Sequence, residues 1–162
     1  SGLVIFAKTS KALTRLNEMF KNSEVKKTYW AVVKNLPREE EGELVNYLVR
    51  NEKQNKSYAY DKEVPGSKKA ILHYRLIGRS QNYYLLEIDL KTGRHHQIRV
   101  QMAGAGAPLW GDNKYNPEFV NKRGYFPIAL RAFRLSFCHP TTGKRMEFEV
   151  PCNWEQLETK AD

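Results

Sequence analysis

The chain has almost no cysteine: among 162 residues only Cys138 and Cys152 occur. Two thiols without CxxC or metal-ligand spacing exclude a disulfide framework or a zinc ribbon, and fit incidental thiols in a reducing cytoplasm. Histidine is also scarce, with His73, His95, His96 and His139 the full set. Adjacent histidines point in different directions and no cysteine or carboxylate falls at ligand spacing beside them, so no metal is expected. Long apolar runs are missing as well. None approaches the ~18 residues of a membrane-spanning helix, and the first residues lack the basic-then-apolar order of a signal peptide. The absence of G-x-G-x-x-G and Walker patterns sets ATP and dinucleotide cofactors aside. No nucleophile elbow surrounds a serine and no signature surrounds either cysteine, which leaves covalent hydrolase chemistry unsupported. The last deficit is of acid: 18 Asp and Glu stand against 27 Lys and Arg, a net charge of +9.

That surplus suits a polyanion, because neutralised phosphates release counterions, and it favours nucleic acid over a membrane surface. With 41 % hydrophobic and 28 % charged residues the composition is globular rather than disordered. Residues 1–162 make one domain. A chain of this size buries roughly 68 to 70 % of its unfolded surface.

Periodicity outlines the elements. Residues 3–7 are an apolar run of strand type, and a helix follows with Ser10 as N-cap and Leu13, Leu16, Met19 and Phe20 on one stripe. Residues 25–34 form a strand with Tyr29, Ala31 and Val33 on one face and Trp30 and Val32 on the other. A solvated loop over 36–42 leads to a strand over 43–50. Residues 51–69 are polar, lysine-rich and broken by Pro65-Gly66-Ser67, so they read as irregular and mobile. Strands over 70–77 and 83–90 make a hairpin, as do strands over 130–137 and 145–150, and a short helix is expected from Asn153. The fold class is α+β: a mainly antiparallel mixed sheet with a few flanking helices.

Between the strand ending at Leu90 and an apolar stripe of Ile98 and Met102 lies the densest group of functional side chains: Lys91, Thr92, Gly93, Arg94, His95, His96, Gln97, Arg99. Such a strand-to-helix turn presents backbone N–H groups without helical partners, and two arginines beside them suit phosphate or carboxylate. A solvated basic turn is the plain alternative. Lys26-Lys27-Thr28-Tyr29-Trp30 interleaves base and aromatic, and an exposed ring on a strand gives a face for an unstacked nucleobase. Packing in the core accounts for Tyr29 equally.

Taken together, the segments 1–9, 27–31, 92–99, 108–112 and 130–132 ahead of His139-Pro140, in that order, resemble the RluA family of RNA pseudouridine synthases over nearly the whole chain. The Thr92 to Arg99 run carries most of the specificity. The resemblance implies isomerisation of uridine in structured RNA, ribosomal or transfer: the glycosidic C–N bond is cleaved, the uracil turns and a C–C bond forms at C5, without cofactor or metal. The family's nucleophile is an aspartate in a His-Arg-Leu-Asp segment that would stand just before Ser1. None of Asp61, Asp89 or Asp112 lies in a matching motif. The chain therefore reads as the C-terminal portion of a catalytic domain, inactive by itself, the activity belonging to an intact cytoplasmic parent. The resemblance assigns Arg99 to pairing with the catalytic aspartate, which leaves it an uncompensated charge here, Tyr29 to stacking on the flipped uracil, and Leu130 to the apolar pocket wall. Lys27, Arg94 and His96 are candidates for RNA backbone contact or for shaping the loop. Gln101 departs from the family, where many relatives carry histidine. Two alternatives are a noncatalytic RNA-binding module and a basic protein-interaction domain; the latter leaves Thr92 to Arg99 unexplained.

Overall fold

The computed structural model describes residues 2–22, 24–140 and 142–149. Its elements run α1 (Ser10–Lys21), β1 (Lys26–Val33), β2 (Glu41–Asn51), β3 (Lys56–Tyr60), β4 (Lys68–Arg79), β5 (Tyr84–Leu90), α2 (Gln97–Gly104), β6 (Leu130–Cys138) and β7 (Arg145–Glu149). The seven strands form one sheet in the order β3-β2-β4-β5-β1-β6-β7, and every pairing between named strands is antiparallel.

Alternation on β1 decides what covers each face. Ala31 and Val33 enter a cluster with Leu72, Tyr74, Leu86 and Ile88 of neighbouring strands, and α2 closes it with Ile98 and Met102. Burying each such aliphatic side chain stabilises the fold by ~1.5–3 kcal/mol. Tyr29 and Leu130 pack at the margin of this cluster. Val32 and Trp30 point the other way, against Tyr83, Leu85, Trp110 and Phe119. The two-face reading of β1 is thus what the structure has, and Ile98 and Met102 share the inner side of α2 as their spacing requires.

Three expectations change. Residues 3–7 are not a strand: one parallel bridge, Gly2 to Ala132, and the Leu3 N–H bonded to the Ala132 carbonyl are what hold them on β6. Leu3, Ile5 and Ala7 still pack under α1 beside Leu16, Leu135 and Phe137. The cap of α1 is Thr9 rather than Ser10, its hydroxyl accepting the Ala12 N–H at 3.1 Å. The polar stretch 51–69 contains β3, paired to β2 from Tyr47–Tyr60 to Asn51–Lys56. Hairpin closure needs Asn55 at φ 48°, a conformation that asparagine tolerates better than most residues. The helix expected from Asn153 and the thiol of Cys152 lie outside the described residues, while Cys138 is exposed.

Candidate active site

The turn between β5 and α2 is built around a buried amide. Gln97 Oε1 accepts the Thr92 hydroxyl at 2.8 Å and the Arg94 N–H at 2.9 Å, while its Nε2 donates to the Ile71 carbonyl at 3.1 Å. Thr92 is tied to the same strand, its Oγ1 accepting the Ile71 N–H at 2.9 Å. These bonds anchor the turn to β4 and give the Arg94 N–H, ahead of the helix, a partner.

His96 caps α2 in the left-handed region, at φ 54°. That backbone state turns two adjacent imidazoles to the same side, so the rings of His95 and His96 stack at 3.8 Å instead of diverging. All four nitrogens are engaged. His95 Nδ1 lies 2.8 Å from Ser57 Oγ and its Nε2 3.0 Å from Asn55 Oδ1. His96 Nδ1 lies 2.8 Å from Tyr115 Oη and its Nε2 3.3 Å from Arg99 Nη1. Because a guanidinium only donates, Nε2 of His96 must accept, and the ring proton therefore sits on Nδ1, directed to Tyr115. Burial, then the charges of Arg99, His95 and Lys114, push the His96 pKa down to about 4. The imidazole is neutral at physiological pH. Among the described residues no three His, Cys, Asp or Glu side chains gather at ligand distance.

Arg99 is where the sequence reading needs correcting. It is not an uncompensated charge. Its Nε donates to Asp112 Oδ2 at 2.9 Å and its Nη2 to Asp112 Oδ1 at 2.6 Å, a side-on bidentate pair, and the guanidinium lies 5.2 Å over the Tyr115 ring. Asp112 is fully buried, and its Oδ1 also accepts the N–H groups of Lys114 and Tyr115. Burial alone would raise the carboxyl's pKa; the Arg99 and backbone hydrogen bonds overcome it and hold Asp112 below the usual range, ionised. Three of the five guanidinium N–H groups are thus used. One on each terminal nitrogen is left without a partner among the described residues.

Tyr29 lines a cavity of about 290 Å³ with Lys27, Phe20, Ile5, Ala132 and Arg134. It is half-buried, and burial raises its phenol pKa, so the ring is neutral. The cross-strand pairs Tyr29–Ala132 and Ala31–Leu130 put Leu130 on the same sheet face, one diagonal step away. Lys27 reaches past this cavity toward the turn: a Cβ on Gly93 would stand 2.8 Å from its Nζ. Burial lowers the Lys27 pKa. Arg94 points elsewhere, its Nε donating to the Lys69 carbonyl at 3.0 Å, and with His95 it lines a second cavity.

The structure therefore gathers Tyr29, Leu130 and Lys27 at one face of β1 and β6, joins Arg99 to His96 in one network, and sends Arg94 to a neighbouring concavity. Asp112, Tyr115 and Ser57 were not singled out from the sequence as parts of this network. A carboxylate following the apolar Pro108-Leu109-Trp110-Gly111 run, with a tyrosine three residues later, was the available signal.

A family model described as RNA pseudouridylate synthase matches residues 1–104. The chain belongs to the RNA pseudouridylate synthase family. It is 38 % identical over 152 residues to an uncharacterized RNA pseudouridine synthase, YlyB, of Bacillus subtilis, covering 93 % of this chain and 48 % of that protein. It is 33 % identical over 156 residues to the ribosomal large subunit pseudouridine synthase D of Zymomonas mobilis, covering 93 % and 49 %. The chain spans about half the length of the curated relatives it matches. In fold it is similar to the human RNA pseudouridylate synthase domain containing 4, with a TM-score of 0.73 at 20 % identity over 93 % of this chain and 69 % of that one. No helix among the described residues is long and apolar enough to cross a membrane.

Proposed function

We propose that these residues form the C-terminal portion of the catalytic domain of an RNA pseudouridine synthase, a cytoplasmic enzyme that isomerises uridines in structured RNA, ribosomal RNA first and transfer RNA second. The observation that carries the reading is the Arg99 guanidinium, clamped by Asp112, His96 and the Tyr115 ring yet keeping one N–H on each terminal nitrogen. An arginine held in that way has its orientation fixed before any second carboxylate arrives, and it can keep that carboxylate ionised and directional. Among the described residues no aspartate or glutamate lines the Tyr29 cavity. Asp112 is consumed by Arg99 and Asp89 accepts the Thr28 hydroxyl at 2.8 Å. On this reading the attacking carboxylate is the family aspartate, which none of Asp61, Asp89 or Asp112 matches, and residues 1–162 by themselves would bind RNA without turning it over.

In the full-length protein that carressponds to this reading, Tyr29 stacks on the extruded uracil, Leu130 keeps water from the reacting sugar carbon, and Lys27 neutralises an adjacent phosphate. His96 shapes the loop by holding Arg99 rather than touching RNA. The glycosidic C–N bond breaks, the base turns, C5 bonds to the sugar, the C5 hydrogen leaves as a proton, and N1 freed from the sugar takes up a proton from water.

The test follows the C5 proton. RNA labelled with tritium at C5 of uridine, incubated with the full-length protein containing these residues, releases label to water; the Arg99→Ala variant releases none while keeping most RNA affinity. Salt-dependent RNA binding without release would instead favour a noncatalytic RNA-binding module.

A further inference from the structure

On the far side of the Thr92 to His96 turn from the Tyr29 cavity, a second concavity of about 290 Å³ opens between β2, β3, β4 and the turn, lined by Arg50, Ser57, Lys68, Gly93, Arg94 and His95. Its charge is of one sign. Three permanent cations border it and, among the described residues, no carboxylate does. Cations brought together without counter-charges repel one another, an arrangement that costs stability unless an anion is supplied from outside. The His95 imidazole reads the same field: burial first, then Arg50, Lys114 and Arg99, lower its pKa. Arg94 is held in place by its Nε bond to the Lys69 carbonyl, which leaves its terminal nitrogens as the donors toward the concavity. His95 is fixed between Ser57 and Asn55.

The concavity also adjoins the Tyr29 cavity. Gly93 lines its wall, and the Lys27 ammonium from the Tyr29 side comes so near Gly93 that a Cβ would stand 2.8 Å from it. One basic ridge therefore separates two recesses, an aromatic and apolar one holding Tyr29 and a polar one holding Arg50, Lys68 and Arg94. A strand whose base enters the first carries its neighbouring phosphates over this ridge. An isolated anion would use only the second recess.

We propose that the Arg50, Lys68 and Arg94 concavity is a backbone-phosphate subsite for the RNA strand adjoining the target nucleotide. The inference rests on the reading of the chain as an RNA-modifying domain. Contacts of this kind position the strand and carry little sequence information.

The test compares the salt dependence of RNA binding between two variants that lose equal charge. Arg50→Gln with Lys68→Gln removes two cations from the concavity. Lys8→Gln with Lys11→Gln removes two at the opposite end of the sheet, where α1 packs on β6. Affinity for a uridine-bearing RNA hairpin is measured by fluorescence anisotropy across a series of potassium chloride concentrations, with far-ultraviolet dichroism confirming that each variant is folded. Losing two phosphate contacts flattens the slope of log K against log salt by about 1.4 on a single-stranded backbone. That flattening, with affinity reduced alike on unrelated hairpin sequences, is expected for the first pair and not the second. Inorganic phosphate at millimolar concentration should leave RNA binding nearly unchanged, since it spans only one recess. Equal slopes in the two variants would overturn the subsite, as would phosphate competing as well as RNA of the same phosphate concentration. Wild-type protein with no salt-dependent RNA binding would remove the underlying reading as well, so the two failures are distinct.

Discussion

Asp112 and Arg99 exchange two hydrogen bonds at 2.6 and 2.9 Å with the carboxylate wholly out of water. Replacing one partner of such a pair leaves the other charge buried and uncompensated, which costs ~3–5 kcal/mol. Asp112→Asn should lower the urea midpoint accordingly, because an amide can turn only one acceptor toward a guanidinium that offers two donors. Adding Arg99→Met to Asp112→Asn should recover part of that loss, because no charge is then left buried and the amide oxygen can still accept the Lys114 and Tyr115 N–H groups; a double variant no more stable than Asp112→Asn would contradict the account. His96 gives a second prediction at this scale. Its folded pKa of about 4 lies below the 6.5 of the unfolded imidazole, so between those values the unfolded chain takes up a proton that the folded site refuses. Stability is therefore at its full value above pH 6.5 and falls as pH drops toward 4, with a slope of at most about 1.4 kcal/mol per unit. His96→Asn should remove that part of the pH dependence in chemical denaturation, leaving the slope due to other groups.

At the scale of elements, the turn into α2 is held by Gln97 more than by helix propensity. Eight residues are too few to be a stable helix by themselves, so the amide's bonds to Thr92, Arg94 and Ile71 and the packing of Ile98 and Met102 must define it. Gln97→Ala strands the Arg94 N–H in a partly buried site and should cost ~1–3 kcal/mol. Hydrogen exchange of the Arg94 amide should quicken by more than that of β5 amides such as Ile88; parallel changes would mean that global unfolding alone had been altered. The same element shows what the sequence could and could not convey. The apolar spacing of Ile98 and Met102 and the two-faced pattern of β1 are properties of the local chain, and both are visible in the string of residues. β3 was missed because Lys56 to Tyr60 sits at the edge of the sheet and lacks a clean apolar alternation, its order coming from pairing with β2 and from the Ser57 N–H bonded to Tyr115 Oη, 58 residues away. Residues 3–7 were over-read for the opposite reason: they are apolar enough for a strand, yet their burial comes from packing beneath α1 and not from a ladder. Arg99 could be placed in the site from its sequence block, whereas its pairing with Asp112 depends on a return of the chain across 13 residues that no local periodicity encodes.

For the whole molecule, charge and apolar exposure oppose each other. At the end of the sheet where α1 packs, Phe6 is 87 % exposed, Val4 70 %, Leu13 52 % and Phe20 41 %. Covering such side chains in a contact between two copies gains ~1.5–3 kcal/mol for each one fully buried, and these are already partly covered, so the gross gain from the larger members is on the order of 5 kcal/mol per copy. For the two copies together that is on the order of 10 kcal/mol, against an association cost of ~4–15 kcal/mol in lost freedom and the low-salt repulsion of two molecules of charge +9. The balance predicts that residues 1–162 are monomeric at micromolar concentration and associate only toward the millimolar range, where binding of ~4 kcal/mol becomes visible. Raising salt screens the repulsion and leaves the apolar term in place, so association should strengthen from 0.05 to 0.5 M salt, at roughly Debye lengths from 14 to 4 Å. Sedimentation velocity of the wild type and of Phe6→Ser with Leu13→Ser, over both salt and protein concentration, measures it. Association that weakens with salt, or that persists in the double variant, would place the contact among charged groups such as β2 and β4 side chains and not at this apolar end.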